Sequence, residues 1–191
     1  MDFKQKVRKN VKKANLNGLT CFFENTDDHL EDFLNIYYGT MVRNSADAGF
    51  FFTKQFFIDL LKMRDNIMFF YVTYETMIIS AELVLFASEN CYSYLGGTNK
   101  DFFELRPNDF LKYEIIKWAK EKGLKRFVLG GGYGSDDGIF QYKLCFAPRG
   151  EYDFFIGQKV FDMKTYNKLV GLRPKDELNE RYFPLYRSNN A

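Results

Sequence analysis

The stretch from Cys91 to Phe146 restricts the fold more than any other part of the chain. It opens with Cys91-Tyr92-Ser93-Tyr94-Leu95, whose alternation suits a short strand that breaks at Gly96-Gly97. Arg106-Pro107-Asn108 then leads into a helical pattern in which Phe110, Leu111, Ile115, Trp118 and Ala119 share one face. Pro107 fits the first turn of such a helix, because its missing N–H would lack a partner there anyway. Gly123 closes the helix, and Arg126-Phe127-Val128-Leu129 reads as a second short, buried strand. Strand, helix, strand is a crossover, and a crossover joins parallel strands. The expected fold is therefore α/β (α+β), a mixed twisted sheet with helices on both faces.

Folds of this kind keep ligands at the carboxyl ends of their parallel strands. In this chain that position holds the glycine cluster from Gly130 to Gly138. A Walker loop needs GxxxxGK[ST], and none occurs; a dinucleotide fingerprint needs GxGxxG opening a helix, whereas Gly132-Tyr133-Gly134 leads to Asp136-Asp137 and an aromatic run. The glycines read instead as a turn that lets substrate come close, which makes Gly131 and Gly132 candidate contacts. Asp136 and Asp137, adjacent on an extended chain, would point apart and so do not form a catalytic carboxylate pair. The run Ile139 to Phe146 reads as an extended, sheet-edge segment with one isolated cation, Lys143, beside Tyr142. Lys143 has two readings: a lysine reaching past apolar neighbours to water, or a cation aimed at an acyl carbonyl or phosphate. In the second, the Tyr142 hydroxyl relays or donates a proton.

Around this centre the chain reads as one domain over residues 1–191, with a polar, proline-interrupted tail from about 173 to 191. Phe3, Val7, Val11 and Ala14 form the apolar stripe of a basic first helix that Gly18 ends. Leu19 to Glu24 is a short strand, and Thr26-Asp27-Asp28 offers caps for a helix reaching about Asn44. Thr53 caps another helix, and Ile67–Tyr74 with Met77–Ala87 form a hairpin about Glu75-Thr76. Short strands are expected at Tyr152–Ile156 and Gln158–Phe161, followed by a helix from Met163 to Val170 capped by Asp162. His29 is the only histidine, and Cys21, Cys91 and Cys145 form no CxxC, so neither a metal site nor a disulfide framework is expected. A net charge of +2 argues against a dedicated nucleic-acid binder, so no DNA partner is expected, and leaves local basic patches open. No run reaches the roughly 18 apolar residues of a membrane span, and no signal peptide is visible, which points to the cytoplasm.

Three stretches resemble the FemAB-type transferases that build peptidoglycan interpeptide bridges, and their single-domain relatives. The first is Val7-Arg8-Lys9-Asn10-Val11-Lys12-Lys13-Ala14 with Gly18-Leu19, similar to that family's basic R-x-N-[IV]-R-[KR]-A helix. The second runs from Leu95-Gly96-Gly97 through Arg106-Pro107-Asn108 and Trp118–Gly123 to Phe127-Val128-Leu129-Gly130-Gly131. The third, Gly138 to Phe146, is similar to G-[LI]-x-x-F-K-x-x-F, with Tyr142 where Phe is usual. The resemblance implies a GNAT acyltransferase fold, whose element order also matches the reading above. It further implies transfer of an aminoacyl or acyl group to an amine of a cell-wall precursor, with aminoacyl-tRNA or acyl-CoA as donor. No tightly bound cofactor or metal is implied. Lys143 takes the place of the family's catalytic lysine and Tyr142 that of its aromatic neighbour, while the family's second GNAT-like half and helical arm have no counterpart here.

The candidate site is then Lys143 and Tyr142 as catalytic residues, with Tyr92, Tyr94, Arg106, Gly131 and Gly132 as substrate contacts. Two other functions stay open. One is an acetyl-CoA-dependent N-acetyltransferase, against which Phe103-Glu104-Leu105-Arg106-Pro107-Asn108 lacks the glycines of the usual [QR]xxGx[GA] pyrophosphate loop. The other is a non-catalytic binding module that kept the fold.

Overall fold

The computed structural model describes residues 2–132 and 137–188, and the chain divides into two compact units, Met1–Glu151 and the residues from Tyr152 onward. The first unit holds a five-stranded sheet in the order β1-β2-β3-β4-β5. Its strands are β1 (Thr20–Glu24), β2 (Ile67–Tyr74), β3 (Met77–Ala87), β4 (Asn90–Thr98) and β5 (Arg126–Val128). The first four are antiparallel, and β5 joins β4 in parallel through the helix between them. The crossover read from Cys91 to Leu129 is therefore present.

Alternation along β2 shows how the sheet becomes covered on both faces. Phe70 and Val72 point into one core with Val7, Val11 and Ala14 of α1 (Gln5–Leu16) and with Phe110, Leu111, Ile115 and Trp118. Ile67, Phe69 and Tyr71 point the other way, onto Leu30, Phe33, Leu34 and Tyr37 of α2 (Leu30–Arg43) and Phe57 of α3 (Lys54–Leu60). A strand buried on both faces must be apolar throughout, which is why this hairpin reads as a continuous run. Thr53 caps α3 by accepting a hydrogen bond from the Phe56 N–H at 3.3 Å.

The crossover helix is α4 (Pro107–Glu121), with Pro107 at its first position as expected. Arg106 caps it in the left-handed region, at φ 63°, a conformation costly for a residue with a Cβ and held here by its surroundings. The glycines of β4 answer to packing. A Cβ on Gly97 would meet Thr40 Oγ1 at 2.3 Å and the Ile36 carbonyl at 2.8 Å, so α2 lies directly on the strand there.

Three expectations are corrected. Ile139 to Phe146 is no sheet-edge segment: Gly138–Phe146 is α5, capped by Asp137, whose Oδ1 accepts from the Phe140 N–H at 2.7 Å. Short apolar runs do not distinguish strand from helix by periodicity, and the cap decides the matter. The second helix starts at Leu30 and not in the Thr26-Asp27-Asp28 segment, because Thr26 bonds Asp28 and His29 turns to Glu24 Oε2 at 3.0 Å. Tyr152–Ile156 and Gln158–Phe161 form no strands. The second unit instead contains α6 (Met163–Gly171), capped as expected by Asp162 through the Thr165 N–H at 2.9 Å. Among the described residues no helix is long and apolar enough to cross a membrane.

Candidate active site

Only Asn90, Cys91 and Tyr92 of β4 pair with β5, while β4 continues to Thr98. From Ser93 onward the strand's outer edge is therefore not paired with β5. A cleft of about 490 Å³ opens there, walled by Ser93 to Thr98, the start of α4, Thr40 and Arg43 of α2, and the inner face of α5. β4 also carries a bulge: Leu83 pairs Leu95 and Val84 pairs Ser93, leaving Tyr94 as the extra residue. Bulges re-aim side chains beside functional sites, and Tyr94 is turned into the cleft wall.

Lys143 and Tyr142 both line this cleft. In a strand, neighbours point to opposite faces; in a helix they are about 100° apart, so both can meet one ligand. Lys143 Nζ donates to the Gly131 carbonyl at 2.5 Å and lies 3.7 Å from the position of a Cβ on Gly130. Burial pulls its pKa below the ordinary 10.5, the Lys112 cation adds to this, and Asp137 and Glu82 oppose it. The Tyr142 hydroxyl is buried and has no hydrogen-bond partner among the described residues. Burial drives its pKa well above 10, with further contributions from Asp109 and Glu82, so it stays protonated.

The cleft floor is polar and buried. Lys112 of α4 is 7% exposed and Glu82 of β3 is 4% exposed. Lys112 Nζ donates to both Glu82 oxygens and to Ser93 Oγ, each at 2.6 Å. Asp109, 9% exposed, lines the same cleft; burial raises its pKa above the ordinary 3.8, and the Asn10 side chain of α1 restrains the rise. On the far wall Arg43 donates to the Thr98 carbonyl at 3.0 Å and lies over the Phe103 ring.

Of the residues expected from sequence, Lys143, Tyr142, Tyr94 and Arg106 meet at this cleft. Gly131 reaches it through its bond to Lys143, and Gly132 packs against the Asp137 carboxylate, which a Cβ would strike at 2.0 Å. Tyr92 is exposed on β4, in register with Leu85 and Val128, and is not among the lining residues. Tyr133, Gly134, Ser135 and Asp136 lie outside the described residues. The sequence reading missed Glu82, Ser93, Asp109 and Lys112. For Glu82 and Lys112 the signal was a charge at a core position: Glu82 amid Ile79–Val84, and Lys112 between Leu111 and Ile115. A second groove of about 470 Å³ between α1 and α4 is lined by Phe3, Arg8, Val11, Lys12, Asn15, Leu16 and Tyr113, with no carboxylate among them.

The acetyltransferase (GNAT) domain profile matches residues 1–144. A lipid II:glycine glycyltransferase of Staphylococcus haemolyticus is 26% identical over 96 residues, covering 44% of this chain and 23% of that protein. The corresponding protein of Staphylococcus aureus is 24% identical over 100 residues, covering 47% and 24%. This chain thus matches about a quarter of the length of these curated relatives. Among solved structures, FemX superposes with a TM-score of 0.60 at 17% identity, over 71% of this chain and 50% of that one. An aminoglycoside acetyltransferase from a soil metagenomic sample superposes with a TM-score of 0.58 at 13% identity, over 75% and 97%. These likenesses agree on a GNAT acyltransferase fold.

Proposed function

This chain belongs to the acetyltransferase (GNAT) domain family, and we propose that it is an acyltransferase of FemAB type, moving an aminoacyl or acyl group onto an amine of a cell-wall or related precursor. The observation that carries this is the pairing of Lys143 and a buried Tyr142 hydroxyl on one helical turn lining the cleft beside β4. The amine attacks the donor's carbonyl carbon, and the negative charge that develops on its oxygen is met by the Lys143 ammonium in a site of low dielectric. Tyr142, held protonated by burial, gives its proton to the departing oxygen and takes one from the amine nitrogen. Arg106 and Tyr94 bracket the substrate.

Aminoacyl-tRNA is the donor we favour, which sets the reaction in the cytoplasm. The curated relatives are glycyltransferases by name, acting on lipid II. A CoA pyrophosphate would need free backbone N–H groups before the central helix. That position is a 3-10 turn over Lys100–Leu105, followed by Arg106 and by Pro107, which has no N–H to offer.

The test is a transfer assay with aminoacyl-tRNA or acetyl-CoA as donor and a UDP-linked muropeptide bearing a free amine as acceptor, read by mass spectrometry. Aminoacylated product, reduced at least about a hundredfold in Lys143→Met, is expected. Transfer from acetyl-CoA alone would reassign the protein as an N-acetyltransferase. No product from either donor would leave a binding module.

A further inference from the structure

Glu82, Lys112 and Ser93 take no part in the proton transfers above, yet their hydrogen bonds leave one donor unspent. An ammonium has three N–H groups. Those of Lys112 go to the two Glu82 carboxylate oxygens and to Ser93 Oγ, each at 2.6 Å, so none remains for a ligand. The Ser93 hydroxyl accepts from that ammonium and has no other hydrogen-bond partner among the described residues, so its own proton is free to donate. Ser93 lines the cleft together with Lys143 and Tyr142. On the transferase reading above, we propose that the Ser93 hydroxyl donates a hydrogen bond to the carbonyl oxygen of the acyl group being transferred.

Strand register puts Ser93 in place. It is the first residue of β4 beyond the three that pair with β5, and it stands opposite Val84 at the bulge. Along a regular strand neighbours face opposite sides, whereas Ser93 and Tyr94 both line the cleft, as a bulge allows. Lys112 reaches Ser93 from α4, and its buried pairing with Glu82 of β3 fixes the ammonium that holds the hydroxyl oxygen.

The chemistry of the ligand atom follows from the donor. An O–H needs an acceptor, and a protonated acceptor amine has no lone pair to give it. An acyl carbonyl oxygen does, and it gains negative charge as the amine attacks. The Lys112 ammonium polarises the hydroxyl and strengthens its donation. A nucleophilic serine would need a neighbouring base, and Lys112, donating to Glu82 and Ser93, has no lone pair to act as one. No bond is therefore made or broken at Ser93; its hydrogen bond joins that of Lys143 and strengthens as the oxyanion forms.

The experiment measures kcat and KM for aminoacyl-tRNA, with the muropeptide as acceptor, in Ser93→Ala, Ser93→Thr and Ser93→Cys, with melting temperatures alongside. Ser93→Ala is expected to lower kcat about a hundredfold and to change KM less than about threefold. Ser93→Thr keeps the hydroxyl and is expected to stay within about tenfold of the unmutated protein. Ser93→Cys is similar in size but carries only a weak S–H donor, so it is expected to lose nearly as much as Ser93→Ala, and it decides the matter if that variant does not fold. An unchanged kcat in Ser93→Ala or Ser93→Cys, a loss confined to KM, or a loss in Ser93→Thr as deep as in Ser93→Ala would overturn the assignment. So would an acyl group found covalently on Ser93 by mass spectrometry. With an active unmutated protein, these failures touch Ser93 alone. If the unmutated protein transfers nothing, the transferase reading falls and takes this role with it.

Discussion

Lys143 keeps its charge in surroundings that work against it, and this gives its ionisation a visible consequence. Its pKa lies below 10.5 because burial and the Lys112 cation disfavour the charged form. If the ammonium is what stabilises the oxyanion, activity falls on the alkaline side as that proton is lost. Lys143→Arg, which stays charged throughout, is expected to push any remaining activity's alkaline limb upward; an unmoved limb in a pH–kcat profile would remove Lys143 from that role. Asp109 provides the opposite case. Its folded-state pKa is raised, so the folded protein binds this proton more tightly than the unfolded chain, and stability is lost as pH rises from 3.8 through the folded value. Asp109→Asn is therefore expected to raise the melting temperature at about pH 7 and to change it little at about pH 3. Calorimetry at the two values checks the sign.

At the scale of elements, the cleft floor is tied across β3, β4 and α4 by Glu82, Ser93 and Lys112. Removing one member leaves an uncompensated buried charge. Lys112→Met is expected to cost about 3–5 kcal/mol, and Glu82→Leu combined with it should recover most of that loss. Urea unfolding of the two singles and the double closes the cycle; additive losses would show that the pair is not coupled. The helix α5 was the element least legible in the sequence. Its apolar residues suited a strand, and only the Asp137 cap and the packing of Tyr142 against Phe146, 5.3 Å between ring centres, gave the helix its geometry. The crossover of β4, α4 and β5 was legible because proline, glycine and a 3.6-residue period mark it locally.

For the molecule as a whole, the two units differ in how their aromatics are used. In the first unit Phe33, Phe57, Phe69 and Tyr71 are fully buried. In the second, Tyr152, Phe154, Phe155 and Phe161 are each at least 85% exposed, along a segment without regular hydrogen-bonded structure. Brief chymotrypsin treatment is expected to cut first between Tyr152 and Phe161 and to leave a resistant fragment ending near Glu151. Mass spectrometry of the fragments checks this, and early cuts within β2 or α4 would contradict it.

By itself the sequence determined the layered sheet, the parallel crossover, the two-sided core, and the pairing of a lysine with a tyrosine past a glycine turn. All of these are written in local periodicity, caps and breakers, which act over a few residues. The tertiary structure alone decided that β4 parts from β5 after Tyr92, that a bulge leaves Tyr94 facing the gap, and that Glu82, Asp109 and Lys112 meet there. Those residues are up to 30 positions apart in the chain, and no local rule pairs them. Their meeting follows from strand register and helix packing, which bring the buried charges of Glu82 and Lys112 together.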